Sequence, residues 1–225
     1  MRSSRHAIML ALLLALGRGA RGIFTFPEGL ADISGAGVGG VAYASAGEGD
    51  AGLVLDGRFD TAWRGGGTGS ADLEGAAIAI VFRQIFSVAY VRVTCGASSG
   101  GRGITRFRLS FAATLPENRT GDVNMLAEKH WRTVPGLRVA EGQDDELDVV
   151  QGQVLTRRVD NFLRIDPPIA ARAIRIMVED TVDESLAFSL DEVQAFAFSR
   201  DNPGVLSPSG QEYPARGYIP ALYSL

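Results

Sequence analysis

A single cysteine, Cys95, is present in 225 residues. One thiol cannot form an intrachain disulfide, and it cannot build a cysteine-based zinc or iron–sulfur site. Histidine is almost as scarce, with His6 and His130 the two copies. His6 falls in the leader described below, so no Ser–His–Asp set can be assembled with a choice of imidazoles. A basic excess is also missing. The 22 Lys+Arg residues stand against 26 Asp+Glu, a net charge of −4, which argues against a nucleic-acid binder. Lysine is reduced to Lys129, and every other basic residue is arginine. No apolar run reaches the roughly 20 residues of a membrane span. No long stretch carries a helical 3.6 period, and no repeat of fixed length recurs. The chain is 46% hydrophobic and 21% charged, a balance that excludes wholesale disorder and a collagen-like repeat.

The first segment has the organisation of a secretory leader. Arg2 and Arg5 precede an uninterrupted apolar run at residues 7–17, and Ala20-Arg21-Gly22 places small residues before a cleavage point. A basic head, a short apolar run and a small-x-small site predict a signal peptide over residues 1–22 and a secreted, extracellular protein. The alternatives are an N-terminal helix packed on the core and an uncleaved anchor. Asn118-Arg119-Thr120 is an N-glycosylation acceptor if the host is eukaryotic. Residues 199–225 contain Pro203, Pro208, Pro214 and Pro220 and predict an extended tail.

Between leader and tail the apolar pattern has period two. Residues 78–82 are a β-branched run. Val91, Val93 and Cys95 alternate with Arg92 and Thr94; Phe107, Leu109 and Phe111 alternate with Arg106, Arg108 and Ser110; Ile174, Ile176 and Val178 alternate with Arg175, Met177 and Glu179. Alternation predicts strands with one buried and one wet face, the arginines lying on the wet face. Residues 154–159 and 162–166 are further strands, and Val193 and Ala195 face away from Glu192 and Gln194. Cys95 ends an apolar run and is expected to be buried. Clusters of Gly, Ser, Asp and Pro, including Pro167-Pro168, separate the runs as turns. Many short strands between turns predict an all-β sandwich or barrel.

Candidate chemistry concentrates in V-L-D-G-R-F-D-T-A-W, residues 54–63. Asp-Gly makes a tight turn, and Asp56 and Thr61 put oxygen ligands in it, which suits a hard cation such as calcium. The bland reading is a loop whose Asp and Thr cap their own backbone. Other motifs carry less. Residues 35–40 spell G-x-G-x-x-G without the preceding strand and following helix of a dinucleotide site. Glu141, Asp144, Asp145, Glu146 and Asp148 form a charge run of the kind that is normally a solvated loop.

The turn D-G-R-F-D-T-A-W resembles the D-G-(D/N)-x-x-T-x-W turn of discoidin domains, also called F5/8 type C domains, which are galactose-binding-like jelly rolls. Four more segments follow in family order: AAIAIVFRQIFSVAYVRVTC, then TRFRLSFA with HWRTV, then NFLRIDPPIAARAIRIMVED, then SLDEVQAF. The resemblance covers residues 33–198. It implies an antiparallel jelly-roll sandwich of about eight strands, with ligand bound by loops at one end. It also implies a structural calcium, held by the side chains of Asp56, Thr61 and Glu192 and by the backbone oxygen of Arg58. Arg58 stands where the family has Asp or Asn. Trp63 is implied to lie in the core under the turn. No end-to-end disulfide is available, and Ala76 or Ala77 replaces a family aromatic.

These readings predict a non-catalytic binding module with a glycan as ligand, with Arg64 and Arg102 as candidate loop contacts. A cell-surface, phospholipid or protein adhesion module is the alternative. A carbohydrate-active enzyme such as a glycoside hydrolase stands third, since two carboxylates can serve that chemistry.

Overall fold

The computed structural model describes residues 27, 29–45, 50–65, 76–96, 103–114, 128–143, 146–182 and 187–198. Residues 1–22, read as a leader, residues 199–225, read as an extended tail, and Arg102, Asn118, Asp144 and Asp145 lie outside the described residues. The strands are β1 Leu30–Asp32, β2 Val41–Ala44, β3 Trp63–Gly65, β4 Ala77–Cys95, β5 Ile104–Ala112, β6 Arg132–Thr133, β7 Leu137–Val139, β8 Leu147–Val150, β9 Gln153–Thr156, β10 Asp160–Thr181 and β11 Phe188–Phe198. Short 3₁₀ turns occupy Ala36–Val38, Ala51–Leu55 and Glu128–His130. Every strand pairing among the described residues is antiparallel, in the order β1-β11-β4-β10-β5-β9-β8. Strands β2, β3, β6 and β7 add to β4, β11, β5 and β10 respectively. The all-β antiparallel class follows the sequence pattern. The strand count exceeds the expected eight because β3, β6 and β7 span only two or three residues each.

Two long strands build both layers. The first part of β4 pairs with β2 and with Ala173 to Met177 of β10; the later part, from Val88, pairs with β11 and with the start of β10. β4 turns at Arg83, Gln84 and Ile85, which are exposed. β10 turns in the register gap between Arg164 and Ile169. Pro167-Pro168 lies in that gap because proline has no N–H for the ladder. The expected pairs of short strands are therefore single bent strands, and Pro167-Pro168 is a bend inside β10, not a turn between elements. The space between the layers is filled by Val91, Val93, Val193 and Ala195 from one sheet and Ile80, Ile174, Ile176, Phe107 and Leu109 from the other.

The outer faces depart from expectation at Thr94, Ser110 and two arginines, all of them buried. Arg106 and Arg108 are partly exposed, but Arg92 and Arg175 are only 2% accessible. Arg92 lies between the rings of Phe59 and Phe162, at 5.1 and 5.0 Å, and grips Asp160 through Nε at 2.7 Å and Nη2 at 2.8 Å. Trp131 covers Arg175 at 4.9 Å, and Glu128 pairs with it at 2.8 Å. Period-two alternation assigns the face correctly, but a cover supplied by distant residues buries it.

Cys95 is buried as expected, and burial pushes its thiol up to about 11. The thiolate is the reactive species, so native protein at pH 8 should react with a thiol reagent only as fast as it unfolds. Rapid labelling of the folded protein would contradict this burial.

Candidate functional site

The segment leading to Trp63 is built by side-chain caps. Asp50 opens the 3₁₀ turn Ala51–Leu55 by accepting from Gly52 N–H at 2.7 Å. Asp56 closes it, and Gly57 follows with a φ of 75°. The Asp56 carboxylate then holds the next turn: Oδ1 accepts from Arg58 N–H at 2.8 Å, and Oδ2 accepts from Thr61 Oγ1 at 2.9 Å. Thr61 Oγ1 also lies 3.4 Å from the Arg58 carbonyl oxygen. The Arg58 side chain points away, onto Asp60 at 2.9 Å, and holds that carboxyl below its ordinary range. Replacing a family acid with Arg58 thus leaves its backbone oxygen beside Asp56 and Thr61.

Strand β3 carries the turn onto β11. Trp63 stands opposite Leu190, Arg64 opposite Ser189, and Gly65 opposite Phe188. Trp63 is fully buried, with its ring edge-on to Phe188 at 5.2 Å. A Cβ on Gly65 would overlap the Phe188 ring, so only glycine lets that ring lie under the turn. This pairing brings Glu192 to the turn, where its carboxylate accepts from Gly57 N–H. Burial, followed by the charges of Asp32 and Asp56, pushes Glu192 up to about 9. Its Oε2 is buried with no hydrogen-bond partner in the protein.

Asp56, the Arg58 carbonyl, Thr61 and Glu192 therefore meet around one turn. Among the described residues no three Asp, Glu, His or Cys side chains converge closely enough to hold a metal. A cation here would rest on two carboxylates, a hydroxyl and a carbonyl, an all-oxygen set of the type calcium takes. The orphaned Glu192 oxygen is the feature that such a cation would satisfy.

Asp32 is the neighbour that the sequence reading missed. Burial raises its pKa, while Ser34 N–H, Ser34 Oγ and Gln194 Nε2 donate to it at 2.8, 2.6 and 3.2 Å. The Asp-x-Ser spacing of an Asx-type turn was the available signal.

Arg64 is exposed beside the turn. Cys95 stands opposite Leu190, its sulfur 3.9 Å from the Ile104 carbonyl, and Val182 N–H donates to Gly103 O at 3.1 Å. The end of β4, the start of β5, the end of β10 and the start of β11 thus gather at one end of the sandwich with Arg64. The first and last described strands pair, with Leu30 opposite Phe198.

No protein-family model matches the sequence, and no curated protein matches it. Solved structures do. The family 32 carbohydrate-binding module of C. perfringens NanJ, in complex with galactose, is 18% identical with a TM-score of 0.51, covering 74% of this chain and 98% of that one. A structure of the Streptococcus pneumoniae β-galactosidase BgaA is 21% identical with a TM-score of 0.54, covering 74% of this chain and 98% of that one. An F5/8 type C domain from Bacteroides fragilis is 16% identical with a TM-score of 0.49, covering 76% of this chain and 99% of that one. The chain has the discoidin-like fold. In this discoidin-like sandwich the first strand, Leu30–Asp32, lies just ahead of the segment in which the sequence resemblance begins.

Proposed function

We propose that the chain is a secreted, non-catalytic carbohydrate-binding module that recognises a glycan through the loops at the Arg64 end and is braced by a calcium ion at the Asp56 turn. The observation that carries the reading is the discoidin-like sandwich shared with a galactose-bound carbohydrate-binding module. The side-chain inventory supports a binding role over catalysis. His130 belongs to the short turn Glu128–His130, and the Cys95 thiol is buried and held protonated. Arg2, Arg5 and the apolar run at residues 7–17 support secretion. No helix among the described residues is long and apolar enough to cross a membrane.

A glycan array with the full chain, with liposome pull-down as control, tests the reading. Retention on glycans without lipid binding is expected. Lipid binding alone would replace the reading with an adhesion module.

Calcium has its own test. Asp56 and Glu192 would hold the ion with Thr61 and the Arg58 carbonyl, and its charge would stabilise the buried Glu192 carboxylate. Calcium at a hundred times its dissociation constant should stabilise the fold by about 2.7 kcal/mol. Asp56→Ala should erase that increment in thermal melts. Identical melting curves in calcium and in chelator for the wild type would remove the site.

A further inference from the structure

The layer away from the Asp56 turn carries an ordered row on its outer face. Asp180 of β10 stands opposite Arg106 of β5, Arg106 opposite Leu155 of β9, and Leu155 opposite Asp148 of β8. The adjacent row, Val178, Phe107 and Val154, belongs to the core, so alternation places the Asp180-to-Asp148 row outside. A register shift between Val178 and Asp180 inserts Glu179 into β10. Such an insertion re-aims side chains, and here both acids reach the arginines. Arg108 pairs with Glu179 at 2.7 Å, while Arg106 lies 3.7 Å from Glu179 and from Asp180.

This row floors a cleft of about 600 Å³, bordered also by Glu146 and Arg157. That volume lies inside the roughly 300–1,000 Å³ of small-ligand sites. The β8–β9 hairpin forms one wall. Gln151 and Gly152, with φ of 51° and 82°, make the two-residue turn whose twist suits a hairpin. A Cβ on Gly152 would strike Thr133 of β6, so glycine seats the hairpin against its neighbour.

The chemistry of the cleft is that of a polyol site. At 3.7 Å the Arg106 ion pairs with Glu179 and Asp180 are too long for hydrogen bonds, and the Arg106 side chain is 42% exposed. Donors and acceptors therefore stand side by side with capacity to spare. Neighbouring sugar hydroxyls donate and accept at once, so they can answer an arginine and a carboxylate together. Leu155, 38% exposed, offers an apolar surface to the C–H face of a ring. Two arginines, Arg106 and Arg157, against Glu146, Asp148 and Asp180 nearly balance, which suits a neutral ligand over a polyanion.

We propose that this cleft is a second saccharide-binding site, for a neutral oligosaccharide, on the outer sheet face of β5, β9 and β8, bordering the loop end but distinct from the Arg64 position. The proposal rests on the carbohydrate-binding reading above. The test is an NMR titration of the isotope-labelled full chain with galactose, lactose and chitobiose, repeated with Leu155→Asn and with Arg64→Ala. Saturable amide shifts at Arg106, Leu155 and Arg157 are expected. Leu155→Asn should weaken that response about tenfold, and Arg64→Ala should leave it unchanged. Shifts confined to Arg64 and Ser189 would overturn the second site and keep the carbohydrate reading. Cleft shifts that Leu155→Asn leaves at full affinity would also overturn it. No shift at either place with any of the three sugars would overturn both.

Discussion

Trp63→Ala should destabilise the protein by about 3–5 kcal/mol, the range for deleting a large aromatic from a packed core. Trp63 has no accessible surface, and its ring meets Phe188 edge-on under the Asp56 turn. The cavity left behind would be bounded on one side by β11, which cannot collapse inward without breaking its ladders to β3 and β4. Denaturant unfolding with near-UV circular dichroism measures the loss, and Trp63→Phe, which keeps part of the volume, should give a smaller one. A tryptophan that stacks on a ligand behaves in the opposite way: its loss spares the fold and weakens binding. A Trp63→Ala protein as stable as wild type would therefore move this residue from the core to the binding surface.

Asp160→Ala should cost a similar amount, about 3–5 kcal/mol, because it strands a buried cation. Arg92 is 2% accessible and lies between two aromatic rings, with the Gln194 oxygen at 3.2 Å as the hydrogen-bond acceptor left to its guanidinium. The reverse variant, Arg92→Met, should cost less. Asp160 keeps 27% of its side-chain surface in water, and methionine retains an apolar stem between Phe59 and Phe162. The order of the two variants in urea unfolding decides the matter. If Arg92→Met proves the more damaging, packing of the arginine stem governs this site and the stranded charge does not.

What the sequence reveals and conceals follows from range. The faces of β5 and of the second part of β10 are readable in Phe107, Leu109, Ile174 and Ile176, because alternation is local. The bends in β4 and β10 are not, because a strand that passes from one layer to the other shows the same period on both sides of the corner. The burial of Arg92 is equally hidden, since it depends on Phe59 and Phe162, which are distant in the chain. At the candidate site, Asp56 and Thr61 are legible as a polar turn. Glu192 joined them only through the family resemblance, because β3–β11 pairing is what brings it there. Asp32 has a local signal in Ser34, but its place at the site depends on Gln194 and on its nearness to Glu192, both from the far end of the chain.

The pairing of β1 with β11 sets how the sandwich yields under tension. Leu30, Ala31 and Asp32 face Phe198, Ala197 and Phe196, so the start of β1 and the end of β11 meet at the first rung of this ladder. A pull applied through those ends loads the rungs one after another, like a zipper, instead of shearing them together. β1 is then the first strand to peel, and it takes Asp32 away from Gln194 and Glu192. The strands shared by both layers, β4 and β10, are not in the line of load, so the packing between the layers outlasts the β1 edge.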